Sequence, residues 1–156
     1  MDKEDILSAR NIADEQYSSG LYCAESVVIA IAKTYKIEND LFPKVATALC
    51  GGMSRTCGMC GALTGAMLGV SAIHGRSNPG ESVEKVFKAT QKLVSEFESE
   101  FGNKNCQELL ECDLGTLEGQ EKFNKENLNS RCHGYTVKAA QLAAEIIEEY
   151  NMESLS

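Results

Sequence analysis

Apolar residues recur at the three- and four-residue spacing of an α-helix along almost the whole sequence. The longest stripe begins at Glu81 and ends at Gly102, and its members are Val83, Val86, Phe87, Thr90, Leu93, Val94, Phe97 and Phe101. No segment shows the sustained alternation of apolar and polar residues that is typical of a strand. The sequence therefore predicts an all-α fold, a single-domain helical bundle of about five long helices plus short helical pieces.

Glycine, proline and capping residues set the expected helix boundaries. The first predicted helix carries Ile6, Ala9, Ala13 and Tyr17 and ends at Gly20, the second covers Ala24–Lys36, and the third runs from a cap at Asn39 through Pro43 to Gly51–Gly52. The fourth lies in the glycine-rich segment up to Gly75, and the long stripe from Glu81 is the fifth. Short helical pieces follow at Cys106–Glu111 and Gly119–Asn127, and a last helix runs from about Cys132 to Tyr150. No repeat, low-complexity tract or linker interrupts them, so residues 1–156 are expected to form one domain.

The charge of the chain limits the partners that we expect, and its apolar runs indicate its compartment. The formal net charge is −8, and such a surface repels phosphate backbones and anionic membranes, which excludes nucleic acid as an expected partner. No apolar run reaches the roughly 20 residues of a membrane span, and the first residues do not resemble a secretory leader. We therefore expect a cytoplasmic protein, whose thiols are kept reduced.

Seven cysteines are many for a reducing compartment, and their number is odd. Catalytic thiols or metal ligands explain them better than a disulfide framework does. Cys23, Cys106 and Cys132 each lie at or near a predicted helix start. The unpaired N–H groups and the dipole of a helix start stabilise a thiolate there. Two or three of the seven are expected to serve only as small buried residues.

Cys57 and Cys60 form a C-x-x-C pair in "CGMC". No strand–helix pattern precedes it, as a thioredoxin-like couple would require, and no second close pair supplies a zinc ribbon. Gly61 rather than His follows Cys60, so the haem attachment motif is missing. The pair is a signal of thiol chemistry that, alone, does not decide between a redox couple and a metal site.

The glycines and histidines of the chain have simpler interpretations. Gly61, Gly65 and Gly69 are four apart, so they share a helix face and let a neighbouring helix approach closely. His133, next to Cys132, is a candidate base or further ligand but is more typical of a surface position. His74 is expected to be structural at a helix end.

"CGALTG" (Cys60 to Gly65) resembles the signature of the C_GCAxxG_C_C family of redox-active proteins. "YCAESV", "NCQELLECDLGTLEG" and "RCHGYTVKAAQLAAEI" are similar to its other cysteine elements. The resemblance implies that Cys23, Cys60, Cys106 and Cys132 are the family cysteines, with Cys112 at a further common position. Cys50 and Cys57 lie outside the pattern and are expected to be accessory. A related domain in split-Soret cytochromes implies electron transfer and iron–sulfur ligation, without haem.

Three functions remain open at this stage. In the first, the four family cysteines converge to bind an iron–sulfur cluster or zinc, for electron transfer or as an oxidoreductase. In the second, two of them cycle between dithiol and disulfide, which requires close Cα atoms and one exposed thiol of low pKa. In the third, the chain is a non-catalytic helical module that binds another protein. The accessory residues would be Cys57, Cys112, Gly61, Gly65 and His133. The expected partner is another redox protein, and a homodimer is left open.

Overall fold

Helices make up nearly all of the regular structure. A computed structural model describes residues 2–153 of the chain. Its elements are α1 (Lys3–Ser18), α2 (Cys23–Thr34), a 3₁₀ helix (Lys44–Leu49), α3 (Cys50–Arg55), α4 (Gly61–His74), α5 (Glu84–Phe101), α6 (Cys106–Leu110), α7 (Leu117–Lys125) and α8 (Asn129–Glu153). The described residues form no strand, although Met59 and Asn105 make an isolated antiparallel bridge. The predicted all-α bundle with five long helices is confirmed.

Local caps explain several of the helix ends. The Asp2 carboxylate accepts hydrogen bonds from the first backbone N–H groups of α1. At the start of α2, the backbone N–H of Tyr22 donates to the Glu25 carboxylate at 3.1 Å. Helix α5 ends at Gly102, whose φ of 85° is a left-handed conformation that suits glycine. These ends agree with the sequence prediction to within a few residues.

The core surrounds α8, which packs against α1, α2, α4 and α5. Its inward face is rich in alanine, so the neighbouring helices approach it closely. The largest side chains that are fully buried in this core come from α2, α4, α5 and α8, and they are Ile31, Leu63, Leu93, Phe97, Ile146 and Ile147. Leu93 and Phe97 fall on the predicted apolar stripe of α5. Hydrophobic burial explains the arrangement of the long helices.

The glycine stripe of α4 lies against α2. A Cβ at Gly65 would lie 2.7 Å from the carbonyl oxygen of Ala24 and 2.8 Å from its Cα, and a Cβ at Gly69 would lie 2.9 Å from the Ile31 side chain. The predicted packing role of the two glycines is confirmed. Their missing side chains bring the start of α4 close to the start of α2.

The predicted third helix is wrong. Asn39 caps only a turn, in which its side chain accepts a hydrogen bond from the backbone N–H of Leu41 at 2.9 Å. Pro43 disfavours the α conformation at the residue before it, and a 3₁₀ helix follows instead. The Gly51–Gly52 pair then begins a left-handed turn rather than ending a helix, since φ is positive from Gly51 to Arg55.

Helix α4 also starts later than the glycine-rich segment suggested. Cys60 is its N-cap, so Cys57 precedes the helix in a loop. Within residues 2–153, each helix is too short or too polar to span a membrane.

Candidate functional site

A cavity of about 510 Å³ lies where four helices begin. Five cysteines line its wall, and they are Cys23, Cys50, Cys60, Cys106 and Cys132. Four of them are the family cysteines of the sequence analysis. The structure therefore brings to one cavity four thiols that are far apart in sequence.

Each family cysteine lies in the first turn of a helix or caps it. Cys23 is the first residue of α2, Cys106 is the first residue of α6, and Cys60 is the N-cap of α4. Cys132 is the fourth residue of α8. The positive ends of the longer helices α2, α4 and α8 therefore meet at the cavity, where they favour negative charge.

Two backbone hydrogen bonds join the starts of α4 and α6. The N–H of Cys60 donates to the carbonyl of Lys104 at 2.8 Å, and the N–H of Cys106 donates to the carbonyl of Gly58 at 3.0 Å. Gly52 permits this approach, because a Cβ there would lie 2.5 Å from the Cβ of Cys106. Cys60 and Cys106 are thus fixed on neighbouring parts of the cavity wall.

On another part of the wall, Cys23 and Cys50 are in contact. Their thiols are hydrogen-bonded, and the Cys50 Sγ lies 3.9 Å from a Glu25 carboxylate oxygen and 3.7 Å from the Ala46 carbonyl oxygen. Gly61 adjoins both cysteines. A Cβ at Gly61 would overlap the Cys23 Sγ and lie 3.1 Å from the Cys50 Cα. The predicted accessory residue Gly61 therefore makes room for this pair.

The pKa is raised for four of the cavity thiols, those of Cys50, Cys60, Cys106 and Cys132, and these four are neutral at physiological pH. Burial raises the pKa of the Cys60 thiol to about 11, and that of Cys106 also to about 11, with a further contribution from the charge of Cys112. Burial and the charges of Cys60 and Cys106 raise the pKa of Cys132 to about 12. The hydrogen bond with Cys23, followed by burial, raises the pKa of Cys50. Part of the cost of ionising these thiols is therefore repulsion between neighbouring thiolates, which a bound cation removes.

Polar side chains also line the cavity, among them those of Tyr17, Asn129, Tyr135 and Arg55. The Tyr17 hydroxyl donates to the side-chain oxygen of Asn129 at 2.6 Å, and the Tyr135 hydroxyl donates to the carbonyl oxygen of Leu109 at 3.2 Å. Arg55 is the cationic residue of the lining and is exposed at the end of the left-handed turn. The sequence analysis did not single out Tyr17, Tyr135 or Arg55 as site residues, and no motif marks them.

The cysteines Cys57 and Cys112 do not line the cavity. The thiol of Cys57 hydrogen-bonds Asp113, and this contact raises its pKa. Cys112 is buried in a small cluster with Leu110 and Leu128. The same cluster contains Cys106, and Cys132 packs against it, so Cys112 adjoins two of the family cysteines from outside the cavity. The accessory role of Cys57 and Cys112 stays a prediction.

The two histidines also lie outside the cavity. His133 pairs with Asp14 through its Nε2 at 2.6 Å, and its ring stacks on Tyr17. The His74 ring nitrogen lies 3.2 Å from the carbonyl oxygen of Ile147, in keeping with its expected structural role. His133 therefore contacts the cavity lining through Tyr17, and its accessory role stays a prediction.

Cys50, which the sequence analysis placed outside the family pattern and expected to be accessory, lies on the cavity wall. It follows the 3₁₀ helix, which together with the left-handed turn replaces the predicted third helix, and this change directs it towards Cys23. The adjacent Gly51–Gly52 pair was the sequence signal that the chain bends here. No local pattern could indicate that the bend ends beside Cys23.

The spacing of the thiols bears on the kind of group that they can hold. Within residues 2–153, no three His, Cys, Asp or Glu side chains are grouped so that they could hold a single metal ion. In a four-iron cluster each thiolate binds a different iron atom, so the four sulfurs remain farther apart than around one ion. Four thiols from four helices around one cavity fit that second kind of donor set.

The structure is that of an all-α protein whose cavity is lined by several thiols at helix starts, the residues that redox proteins use. Residues 21–146 match the family model described as "Putative redox-active protein (C_GCAxxG_C_C)". The chain belongs to this family, as its motifs indicated. No curated protein and no solved structure matches it.

Proposed function

We propose that the protein transfers electrons through an iron–sulfur cluster held by Cys23, Cys60, Cys106 and Cys132. One observation carries this proposal: four thiols from the first turns of four different helices line a single cavity of about 510 Å³. Four cysteine thiolates are the usual ligand set of such clusters. When bound, the cluster would supply one-electron chemistry.

The side chains around the thiols support a charged cofactor of this kind. The starts of α2, α4 and α8 and the guanidinium of Arg55 provide positive potential for thiolates and cluster. Leu109, Leu110 and Phe123 provide an apolar wall that limits access of water. We infer that the protein works in a reducing compartment such as the cytoplasm, with a second redox protein as its partner.

A cycling disulfide is the second candidate function. Contact between cysteines on the cavity wall favours it, because two thiols must approach closely to be joined. It also requires a thiol of low pKa as the attacking group. The pKa values of Cys60, Cys106 and Cys132 are instead raised to about 11 or 12, so these thiols are weak nucleophiles at neutral pH. We therefore place the cluster first.

The test is purification of the full chain without oxygen, followed by reconstitution with iron and sulfide. We expect visible absorption from sulfur-to-iron charge transfer, together with bound iron and sulfide. Serine at any one of Cys23, Cys60, Cys106 or Cys132 should reduce that content strongly. Cys57→Ser is the matched control, because Cys57 lies outside the cavity, and it should leave the content unchanged.

Two other results would contradict the proposal. Protein that stays colourless and free of metal, but loses two free thiols on oxidation among the four family cysteines, is a thiol–disulfide protein. If the protein binds no metal and its thiols resist oxidation, the result supports the third candidate function, a helical module that binds another protein.

A further inference from the structure

Cys50 is a fifth thiol on the cavity wall, and neither the family pattern nor the proposed cluster uses it. We propose that Cys50 forms a reversible disulfide with Cys23 and thereby withdraws Cys23 from the cavity's ligand set. The disulfide follows from the geometry of this chain alone. Its effect on the cluster rests on the proposed function.

The two cysteines are already neighbours. Their thiols are hydrogen-bonded to each other. The Cys23 Sγ and the Cys50 Cα both border the small space that Gly61 leaves by lacking a side chain. A disulfide needs Cα atoms within about 7 Å and side chains that point towards each other. Because the Cys23 Sγ already lies near the Cys50 Cα across that space, rotation about the two Cα–Cβ bonds is the movement that turns the sulfurs towards each other.

The other cysteines have different surroundings. Cys57 is hydrogen-bonded to Asp113, and Cys112, itself at a common family position, is buried in one cluster with Cys106. The backbone hydrogen bonds that fix Cys60 and Cys106 hold these two residues next to each other, on the wall formed by α4 and α6. Cys23 is therefore the family cysteine with a non-family thiol as its immediate neighbour.

The different solvent exposure of Cys23 and Cys50 determines which thiol an external disulfide reaches first. Cys23 is half-buried, whereas Cys50 is 8% exposed. A small disulfide such as oxidised glutathione therefore meets Cys23 first. The Cys23 thiolate attacks one glutathione sulfur, breaks the S–S bond and releases one glutathione. Cys50 then attacks the Cys23 sulfur of the mixed disulfide and releases the second glutathione.

The electrons and atoms of this reaction balance. Two protein thiols are oxidised to one disulfide, and one oxidised glutathione is reduced to two glutathione thiols that carry away both protons. A dithiol reductant reverses the reaction. The disulfide removes one ligand from the cavity, because a Cys23 sulfur that is bonded to Cys50 no longer ligates a metal.

The experiment uses the full chain, free of metal and fully reduced, incubated with oxidised glutathione and mapped by mass spectrometry after proteolysis. We expect a loss of two free thiols and one cross-linked peptide pair that joins Cys23 to Cys50. In Cys50→Ser the cross-link should be absent and glutathione should remain attached to Cys23. Cys57→Ser should form the Cys23–Cys50 link as the natural chain does.

A link between other cysteines, or free thiols at both Cys23 and Cys50 after oxidation, would overturn the inference. Reconstitution of the cross-linked and reduced forms with iron and sulfide separates the two proposals. Uptake by the reduced form alone supports both. A cross-link without uptake by either form leaves the disulfide standing and contradicts the cluster, while equal uptake by both forms shows that Cys23 is not a ligand.

Discussion

Burial gives the cavity thiols a property that their position at helix starts does not predict. A helix start alone lowers the pKa of a cysteine. In this structure loss of solvent outweighs that effect, and the pKa values of Cys60 and Cys106 rise from 9.0 to about 11. The thiols of Cys60 and Cys106 are therefore neutral at neutral pH, and a bound cation would favour their ionised forms.

These raised pKa values predict how stability depends on pH in the metal-free protein. Between pH 9 and 11 the unfolded chain loses the protons of Cys60 and Cys106 while the folded chain keeps them. The free energy of unfolding should fall in this window by about 1.4 kcal/mol per pH unit for each such thiol. Urea unfolding at several pH values measures the slope, to which other groups also contribute.

Cys60→Ser isolates one thiol, because serine does not titrate in this range. The slope should become shallower in this variant by the contribution of a single group. Gly134→Ala is the control: it adds a Cβ where nothing lies within 4 Å, so it changes stability without changing the slope. An unchanged slope in Cys60→Ser would show that the Cys60 thiol titrates alike in both states.

At the scale of elements, the close pairing of α2 and α4 positions the site. Gly65 allows the backbone of α4 to touch the backbone of α2 at Ala24, the residue after Cys23. Gly61, one turn earlier, leaves the space next to Cys23 and Cys50. The same glycine stripe therefore sets both the distance between the helices and the room for two thiols.

Gly65→Ala should destabilise the protein by about 1–3 kcal/mol, the usual cost of overpacking. Its Cβ would meet the Ala24 carbonyl oxygen at 2.7 Å, and backbone cannot rotate aside as a flexible side chain can. Gly134→Ala, within α8, should be more stable by about 0.5–1 kcal/mol, since alanine favours helices. Equilibrium unfolding in urea compares the two. Equal stabilities would mean that the close contact of α2 and α4 does not matter.

The sequence predicted the long helices but not the segment around Cys50. Apolar periodicity is a local signal, so it predicted the five long helices and the face of α5 that carries Phe97. The segment around Cys50 lacks such a signal. Its left-handed turn includes Met53 and Ser54, which local preference alone would not place at positive φ. The rest of the fold holds them there, partly through a 2.7 Å hydrogen bond from the Ser54 hydroxyl to the carbonyl oxygen of Ala48.

At the scale of the whole molecule, the cavity joins parts of the chain that are distant in sequence. Its four family cysteines come from α2, α6, α8 and the residue that caps α4. Motif resemblance grouped these cysteines, but the sequence could not supply Tyr17, Arg55 or Cys50, because only the packing of helices around α8 brings them to the same wall. A group bound there by the four thiols would connect the chain across most of its length.

Cluster binding should therefore raise the melting temperature of the entire bundle. The unfolded chain does not present four thiols at one place, so the free energy of ligation adds to the stability of the folded state. In a chain of this size each kcal/mol raises Tm by about 2–4 °C. Anaerobic melting of the reconstituted and metal-free forms, followed by circular dichroism at helical wavelengths, measures the difference. Cys106→Ser should remove most of the increase, whereas Cys57→Ser should keep it. If the reconstituted and metal-free forms melt together, the cysteines do not hold a group that connects the four helices.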